Sequence, residues 1–291
     1  MTGARVATAR PERPSDAKRN LAMLGTGLLV AWAVITVGVD PANLLELPGG
    51  LALIFYEMFL ESGPDWSYLP TAIDGMIESL EIAWVGTVIG AVLSLPLGFF
   101  GARNVSSGFA SNVMRQILNA IRAFPEIVLA IAIFIPIAGL GPVAGALAIG
   151  LHSVGTLGKL TAEVIEGIDP GPVEAARASG AGSLQMQRWG VLPQVLPEII
   201  GFWLYRFEIN IRAGAVLGVV GAGGIGFSLQ QTIQFHRYDL AGTAIIVVVV
   251  ATIAVDTISG WVRRRIIEGA ESRIEPADIE ALGPLMGSEA A

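Results

Sequence analysis

Three patterns in this chain have residue types and spacing that could serve chemistry. The first is Gly221-x-Gly223-x-x-Gly226, inside VLGVVGAGGIG (216–226). That spacing matches a glycine-rich turn that feeds a helix N-terminus and cradles a pyrophosphate. The second is a set of charges, Arg206, Glu208 and Arg212, inside the apolar run PEIIGFWLYRFEINIRAGAVLGVV (197–220). The third is VEAARASG (173–180), set in a polar stretch between prolines. Absences are equally informative. There is no cysteine, so disulfides, iron–sulfur clusters and thiolate zinc sites are excluded. The two histidines, His152 and His236, lie far apart, with no H-E-x-x-H spacing. The ionisable groups inside apolar segments are Arg122, Glu126, Glu163, Arg206, Glu208, Arg212 and Asp256. No nucleophile–base pair stands out among them, which argues against a membrane-embedded enzyme.

The elements that must hold these residues follow from composition. The chain of 291 residues is 53% hydrophobic and 15% charged, with a mean hydropathy of +0.64. Soluble domains carry about 25% charged residues, so a bilayer is the expected solvent. The predicted fold is all-α, with six transmembrane helices. A crossing takes about 20 apolar residues. Residues 21–39 satisfy this after a basic start, and the run is too long for a signal peptide. Residues 82–100 form a second span. The charge-free stretch from Ile127 to Gly158 is too long for one crossing and contains the turn signal GLGP, so it divides into spans at 116–138 and 142–162. The fifth span is placed at 198–220, opened by Pro197, and the sixth at 242–262, stopping at Arg263-Arg264-Arg265.

The cations give an independent test of orientation. With the N-terminus inside, the cytoplasmic side receives Arg5, Arg10, Arg13, Lys18, Arg19, Arg103, Arg115, Arg122, Lys159, Arg177, Arg188, Arg263 to Arg265 and Arg273. The outside receives Arg237. This obeys the positive-inside rule with both termini cytoplasmic. It also disposes of the nucleotide reading, because the run after the glycine turn has membrane length and no further βαβ pattern follows. The division of the chain is then a cytoplasmic tail 1–20, a first span 21–39, an external loop 40–81, a five-span core 82–262 and a cytoplasmic tail 263–291. The external loop holds eight acids and no Lys or Arg. Its apolar segment LALIFYEMFL (51–60) is too short to cross, and packing on the spans is a simpler fate than lying at the interface.

The polar stretch between the fourth and fifth spans reads DPGPVEAARASGAGSLQMQRWGVLPQVLPEI (169–199). Pro170 and Pro172 suit a helix start, Val173 to Ser179 favour one or two turns, and Gly180 ends them. SLQMQRWGV predicts a second helical piece. The resulting short helix has small side chains on a cytoplasmic face, which would let a soluble partner approach closely. Glu174 also suits the positive end of its own helix.

This stretch resembles the EAA loop of the inner-membrane permease subunits of binding-protein-dependent ABC importers, in the methionine-permease-like superfamily. Glu174, Ala175, Ala176, Gly180, Leu192 and Pro193 fall in register with that pattern, with Arg177 and Ala178 inside it. The departure is Gly190, where Ile is usual. The resemblance implies a type I importer fold and no chemistry by this chain itself. It implies that the loop (within 164–197) docks on an ATP-hydrolysing subunit, with Glu174 pairing there and Gly180 setting the bend. The implied partners are two ATPase subunits that hold ATP and magnesium, an external binding protein, and a second permease copy or a paralogue. The chain itself would bind no cofactor, metal or nucleic acid, and would sit in the inner membrane.

Residues 75–262, and most strongly 164–228, look most like phosphonate permeases within that superfamily, whose relatives carry phosphite or phosphate. A same-fold permease for methionine or a betaine is the alternative. Charges at bilayer depth cost about 2.5–3.5 kcal/mol each, so Arg206, Glu208 and Arg212 must face protein or water. Glu208 and Arg212 are spaced for an i,i+4 pair, and Arg206 is placed to snorkel toward the cytoplasm. The competing expectation gives the unpaired cation to an anionic substrate. Gly221, Gly223, Gly224 and Gly226 predict a reversal at membrane depth followed by a short helix. That helix N-terminus would either favour an anion or serve as a close-packing turn.

Overall fold

The computed structural model describes residues 16–38, 41–61 and 63–271. Most of the tails expected at 1–20 and 263–291 lies outside the described residues. The described chain is helical, with no strand among the described residues. It divides into two units, one up to Tyr56 and one from Glu57.

The first unit contains α1 (Asp16–Val37) and α2 (Pro41–Tyr56). At 1.5 Å per residue, the 22 residues of α1 reach about 33 Å, enough for the hydrocarbon core. None of them is buried, as suits a helix solvated by lipid. The loop expected at 40–81 is largely helical instead. It holds α2, a π-helical turn at Glu57–Glu61, a short 3-10 turn at Trp66–Tyr68 and the first residues of α3 (Leu69–Gly101). Residues 51–56 of LALIFYEMFL belong to α2, and Met58 in the following turn is buried. Composition hid these helices because acids spaced along them read as loop.

The second unit is built on α3 and α7 (Pro142–Glu166). Gly86 sits against Ile149, Gly90 against Ser153 and Gly98 against Thr161, with the same offset in each pair. The two helices therefore run parallel and in register. A Cβ on any of the three glycines would overlap its partner. This is the small-residue packing expected where lipid removes the hydrophobic drive between helices.

Between them, the expected span 116–138 is broken. α4 (Gly108–Ala123) is capped by Ser107 and ends at Phe124. α5 (Glu126–Leu129) continues through a π-helical turn into α6 (Ile135–Ala138), bent 84° from α4. Pro125 has no N–H to donate and forces Phe124 to extended values, φ −86° and ψ 122°. After α7 come the short helices α8 (Pro170–Ala178) and α9 (Ser183–Met186) of the polar loop. A π-helical turn, Gln187–Val191, leads into α10 (Leu192–Leu217), which starts before Pro197 rather than at it. α11 (Gly224–Gln234) and α12 (Tyr238–Glu271) complete the chain, and α12 runs past the arginine triplet. Among the described residues, four helices have the length and composition to cross a membrane, and up to six spans result when the two bent pairs each count as one.

Three apolar clusters hold this unit together. One joins Ile82, Leu129, Ile149 and Leu217 across α3, α5, α7 and α10. The second joins Met76, Ile211, Ile225 and Ala244 across α3 and α10 to α12. The third, at the other end, joins Ile165, Val191, Val195 and Ile199, with Val173 of α8 packed against it. The loop helix is thereby seated on the core that carries α10.

Candidate functional site: a docking loop and a polar seam

The loop helix α8 is defined by its ends. Asp169 caps the start, its carboxylate accepting from the Gly171 N–H at 2.9 Å. The cap is therefore Asp169 and not Glu174, which sits a full turn further in. At the other end the Ala181 N–H reaches the Ala176 carbonyl and the Gly180 N–H the Arg177 carbonyl, at 3.1 and 3.0 Å. This is a Schellman closure, and it requires the positive φ of 83° at Gly180. Glu174, Ala175, Arg177 and Ala178 are exposed, and Ala176 is half-buried.

The underside explains the departure at Gly190. A Cβ there would stand 3.1 Å from Val173 Cα, so α8 lies directly on the Gly190 backbone. Gln194 stitches the two together, accepting from the Asp169 N–H at 3.1 Å and donating to the Asp169 and Gly190 carbonyls. Leu192 packs on the cluster below, while Pro193 at the start of α10 is exposed. Beside α8, Leu184 and Trp189 are 81% and 69% exposed, a pair of large apolar side chains at a polar end of the bundle.

Within the bundle the charged residues of α10 take partners that differ from those expected. Arg206 does not snorkel. It is 7% exposed and donates through Nε to Ser153 Oγ at 3.0 Å and through Nη2 to His152 Nδ1 at 2.6 Å. An arginine can only donate, so Nδ1 is the accepting nitrogen. Glu126 Oε2 lies 3.6 Å from the same nitrogen. Asn210, fully buried, donates to Ser153 Oγ at 3.2 Å and to Thr87 Oγ1 at 2.9 Å. Thr87 in turn donates to the Ala83 carbonyl. A continuous polar seam thus joins α3, α10, α7 and α5.

The expected Glu208–Arg212 pair is not formed. Arg212 Nη2 instead reaches both oxygens of Asp256 on α12, at 3.1 Å each. Geometry favours this because the two helices are antiparallel neighbours, Arg263 of α12 lying over the Tyr205 ring of α10. Glu208 is 8% exposed, and its Oε1 has no hydrogen-bond partner among the described residues. The Arg212 and Asp256 side chains are 56% and 41% exposed. Arg212 also lines a cavity of about 310 Å³ with Pro125, Glu126, Ile127, Ile209 and Val216.

The glycine turn closes the end of the bundle away from α8. Gly221, Gly223 and Gly224 all take positive φ, and α11 follows as a short helix. The anion-favouring start of that helix is filled by the protein. Gly224 N–H donates to Glu78 Oε2 at 3.0 Å and Ile225 N–H to Ser79 Oγ at 2.9 Å. Cβ atoms at Gly223 and Gly224 would collide with these two side chains, and one at Gly226 with the Ala215 carbonyl. The four glycines are therefore a packing turn. Sequence reasoning missed Glu78, Ser79, Ser153 and Asn210 as members of these arrangements. Asp256 carried a usable signal, because an acid inside an apolar span needs a basic partner.

The comparisons agree with this architecture. The phosphate-import permease protein PhnE of Mycolicibacterium smegmatis is 42% identical over 267 residues, covering 88% of this chain and 49% of that protein. This chain thus spans about half the length of that relative. The phosphite transport system permease protein PtxC of Stutzerimonas stutzeri is 39% identical, covering 83% of this chain and 86% of that one. An inward-facing structure of the MetNI methionine ABC transporter superposes with a TM-score of 0.60 at 22% identity, covering 69% of this chain and 99% of that one. The family described as the binding-protein-dependent transport system inner membrane component matches residues 94–268. With its helical bundle, its exposed loop helix and those relatives, the chain belongs to this family of inner-membrane transport permeases.

Proposed function

We propose that the chain is the membrane-spanning subunit of an ATP-driven importer for a phosphorus oxyanion: phosphonate, phosphite or phosphate. The observation that carries the coupling half of this reading is α8, an exposed helix fixed at both ends and seated on the start of α10. A rigid handle transmits force to the helix it rests on. One of two ATPase subunits would grip it, with Glu174 and the small face of Ala175 and Ala178 toward that subunit. ATP and its magnesium belong to those partners. ATP binding would draw two such handles together and open the spans outward, and hydrolysis would return them. The second permease is a copy of this chain or a paralogue, and both termini lie in the cytoplasm.

The substrate half rests on the names of the relatives and on Arg212. A pair as exposed as Arg212–Asp256 at membrane depth cannot face lipid cheaply, since each charge costs about 2.5–3.5 kcal/mol there. It faces a water-filled path or another protein chain. An oxyanion moving along α10 would compete with Asp256 for the Arg212 guanidinium. Delivery by an external binding protein would carry the anion past the acidic outer segments, which repel a free one.

The test is ATPase activity and uptake by the assembled complex in liposomes, with its binding protein loaded in turn with phosphonate, phosphite, phosphate and methionine. Stimulation by the phosphorus anions and not by methionine is expected. Stimulation by methionine alone would refute the assignment.

A further inference from the structure

A second polar cavity lies away from α10. Asn112, Arg115, Gln116 and Asn119 recur on α4 at i, i+3, i+4 and i+7, which places them on one helix face. With Arg103 from the turn after α3 and Lys159 from α7, they line a cavity of about 240 Å³. Three cations and three amides make up its wall, and no apolar or acidic residue among the described residues contributes to it.

Two carboxylates stand behind this wall. Glu166 accepts from the Arg103 backbone N–H at 2.7 Å and pairs with Arg115. Glu163 lies 3.7 Å from Lys159. Arg115 is further fixed by its Nε, which donates to the Gly101 carbonyl at 2.9 Å. The Arg115 side chain is mostly buried, so its guanidinium is held in place before any ligand arrives. Against three cations these carboxylates supply two charges, and the Arg103 guanidinium makes no ion pair among the described residues. One positive charge therefore remains, directed at a cavity whose amides supply further donors. A compact anion with several acceptor oxygens satisfies that set, whereas a cation or an apolar group does not.

We infer that this cavity is a binding site for a phosphate-type group, held by Arg103, Arg115 and Lys159 and oriented by Asn112, Gln116 and Asn119. The positive-inside rule puts it on the cytoplasmic face. Two sources present that chemistry there: a free phosphate-type anion from the cell interior, and the headgroup of an anionic phospholipid of the inner leaflet. The site is separate from the α10 path, and binding at it does not depend on which substrate the protein carries.

The experiment uses the full chain purified in detergent, with both faces accessible. One arm titrates inorganic phosphate and follows binding by calorimetry. The other transfers the protein into nanodiscs of phosphatidylcholine with or without phosphatidylglycerol and counts retained anionic lipid by native mass spectrometry. Arg103→Gln and Gln116→Glu are compared with wild type in both arms. Gln116 is exposed, so its substitution spares the fold. Binding in either arm, weakened about tenfold or more by both variants, supports the site and identifies the source. Binding that persists unchanged in both variants lies elsewhere and overturns the inference, as does the absence of binding in both arms.

Discussion

The Gly224 N–H donates to the Glu78 carboxylate at 3.0 Å, across 146 positions of sequence. Beside it the Ile225 N–H donates to Ser79. Two adjacent residues of α3 thus occupy the first free amides of α11, where a helix start is most receptive to negative charge. The turn Gly221 to Gly226 is the means by which α11 reaches them. Glu78→Ala should therefore loosen α11 at a cost of about 1–2 kcal/mol, the usual effect of losing a cap. Glu78→Gln, which keeps an accepting oxygen, should cost less. Thermal unfolding in detergent measures both. Equal melting temperatures for Glu78→Ala and wild type would show that the contact holds nothing.

The seam at Asn210 predicts a larger effect from an uncharged residue. Asn210→Ala leaves Thr87 and Ser153, both buried, short of a partner and opens a cavity at the meeting point of α3, α7 and α10. Thr87 keeps the Ala83 carbonyl and Ser153 keeps Arg206, so each hydroxyl loses one hydrogen bond, about 1 kcal/mol apiece, in addition to the cavity. The variant should insert in the membrane but unfold at a clearly lower temperature. Serine, which retains a hydroxyl, should recover part of the loss. A wild-type melting curve for Asn210→Ala would refute the structural role of the seam.

These contacts mark where the sequence stops being legible. Apolar length located the spans and the proline–glycine pattern located α8, because both are local properties. The break at Pro125 was visible in principle, yet the apolar residues on both sides of it read as a single span at 116–138, where the chain bends by 84°. The i,i+4 rule pairs Glu208 with Arg212 because it sees a single helix, whereas the real partner, Asp256, is 44 residues away on an antiparallel neighbour. Likewise the start of α11 reads equally as an anion site or a packing turn until α3 is laid beside it. What sequence conceals here is which helices are neighbours.

Gly190 offers a test of how α8 is seated. Restoring the isoleucine usual in the family pattern would force a side chain against Val173, where even a Cβ stands 3.1 Å from its Cα. Gly190→Ile should leave the spans intact, lift α8 and reduce co-purification of the ATPase subunits. Gly190→Ala should show a milder form of the same defect. If Gly190→Ile couples as well as wild type, α8 can be displaced without consequence.

Glu174 is exposed and does not cap its own helix, so its charge is free to serve a partner surface. Glu174→Lys should leave folding and membrane insertion unchanged while detaching or uncoupling the ATPase. Pull-down of the partner together with ATPase assays on the complex measures this. A fully coupled Glu174→Lys complex would remove Glu174 from the interface.

Arg212 and Asp256 can be separated by their unequal roles. If their ion pair is purely structural, Arg212→Gln and Asp256→Asn should impair uptake alike, and the double variant should be no worse than either. If Arg212 meets the oxyanion, Arg212→Gln should abolish most uptake, whereas Asp256→Asn, which only removes a competitor, should retain it. The chain has no cysteine, so a charge can be restored chemically. Arg212→Cys should be inactive in liposome uptake of labelled phosphate. It should recover partly after reaction with a thiol reagent that adds an ammonium group, and not after one that adds a sulfonate. Recovery with either reagent would mean that side-chain bulk matters at this position and its charge does not.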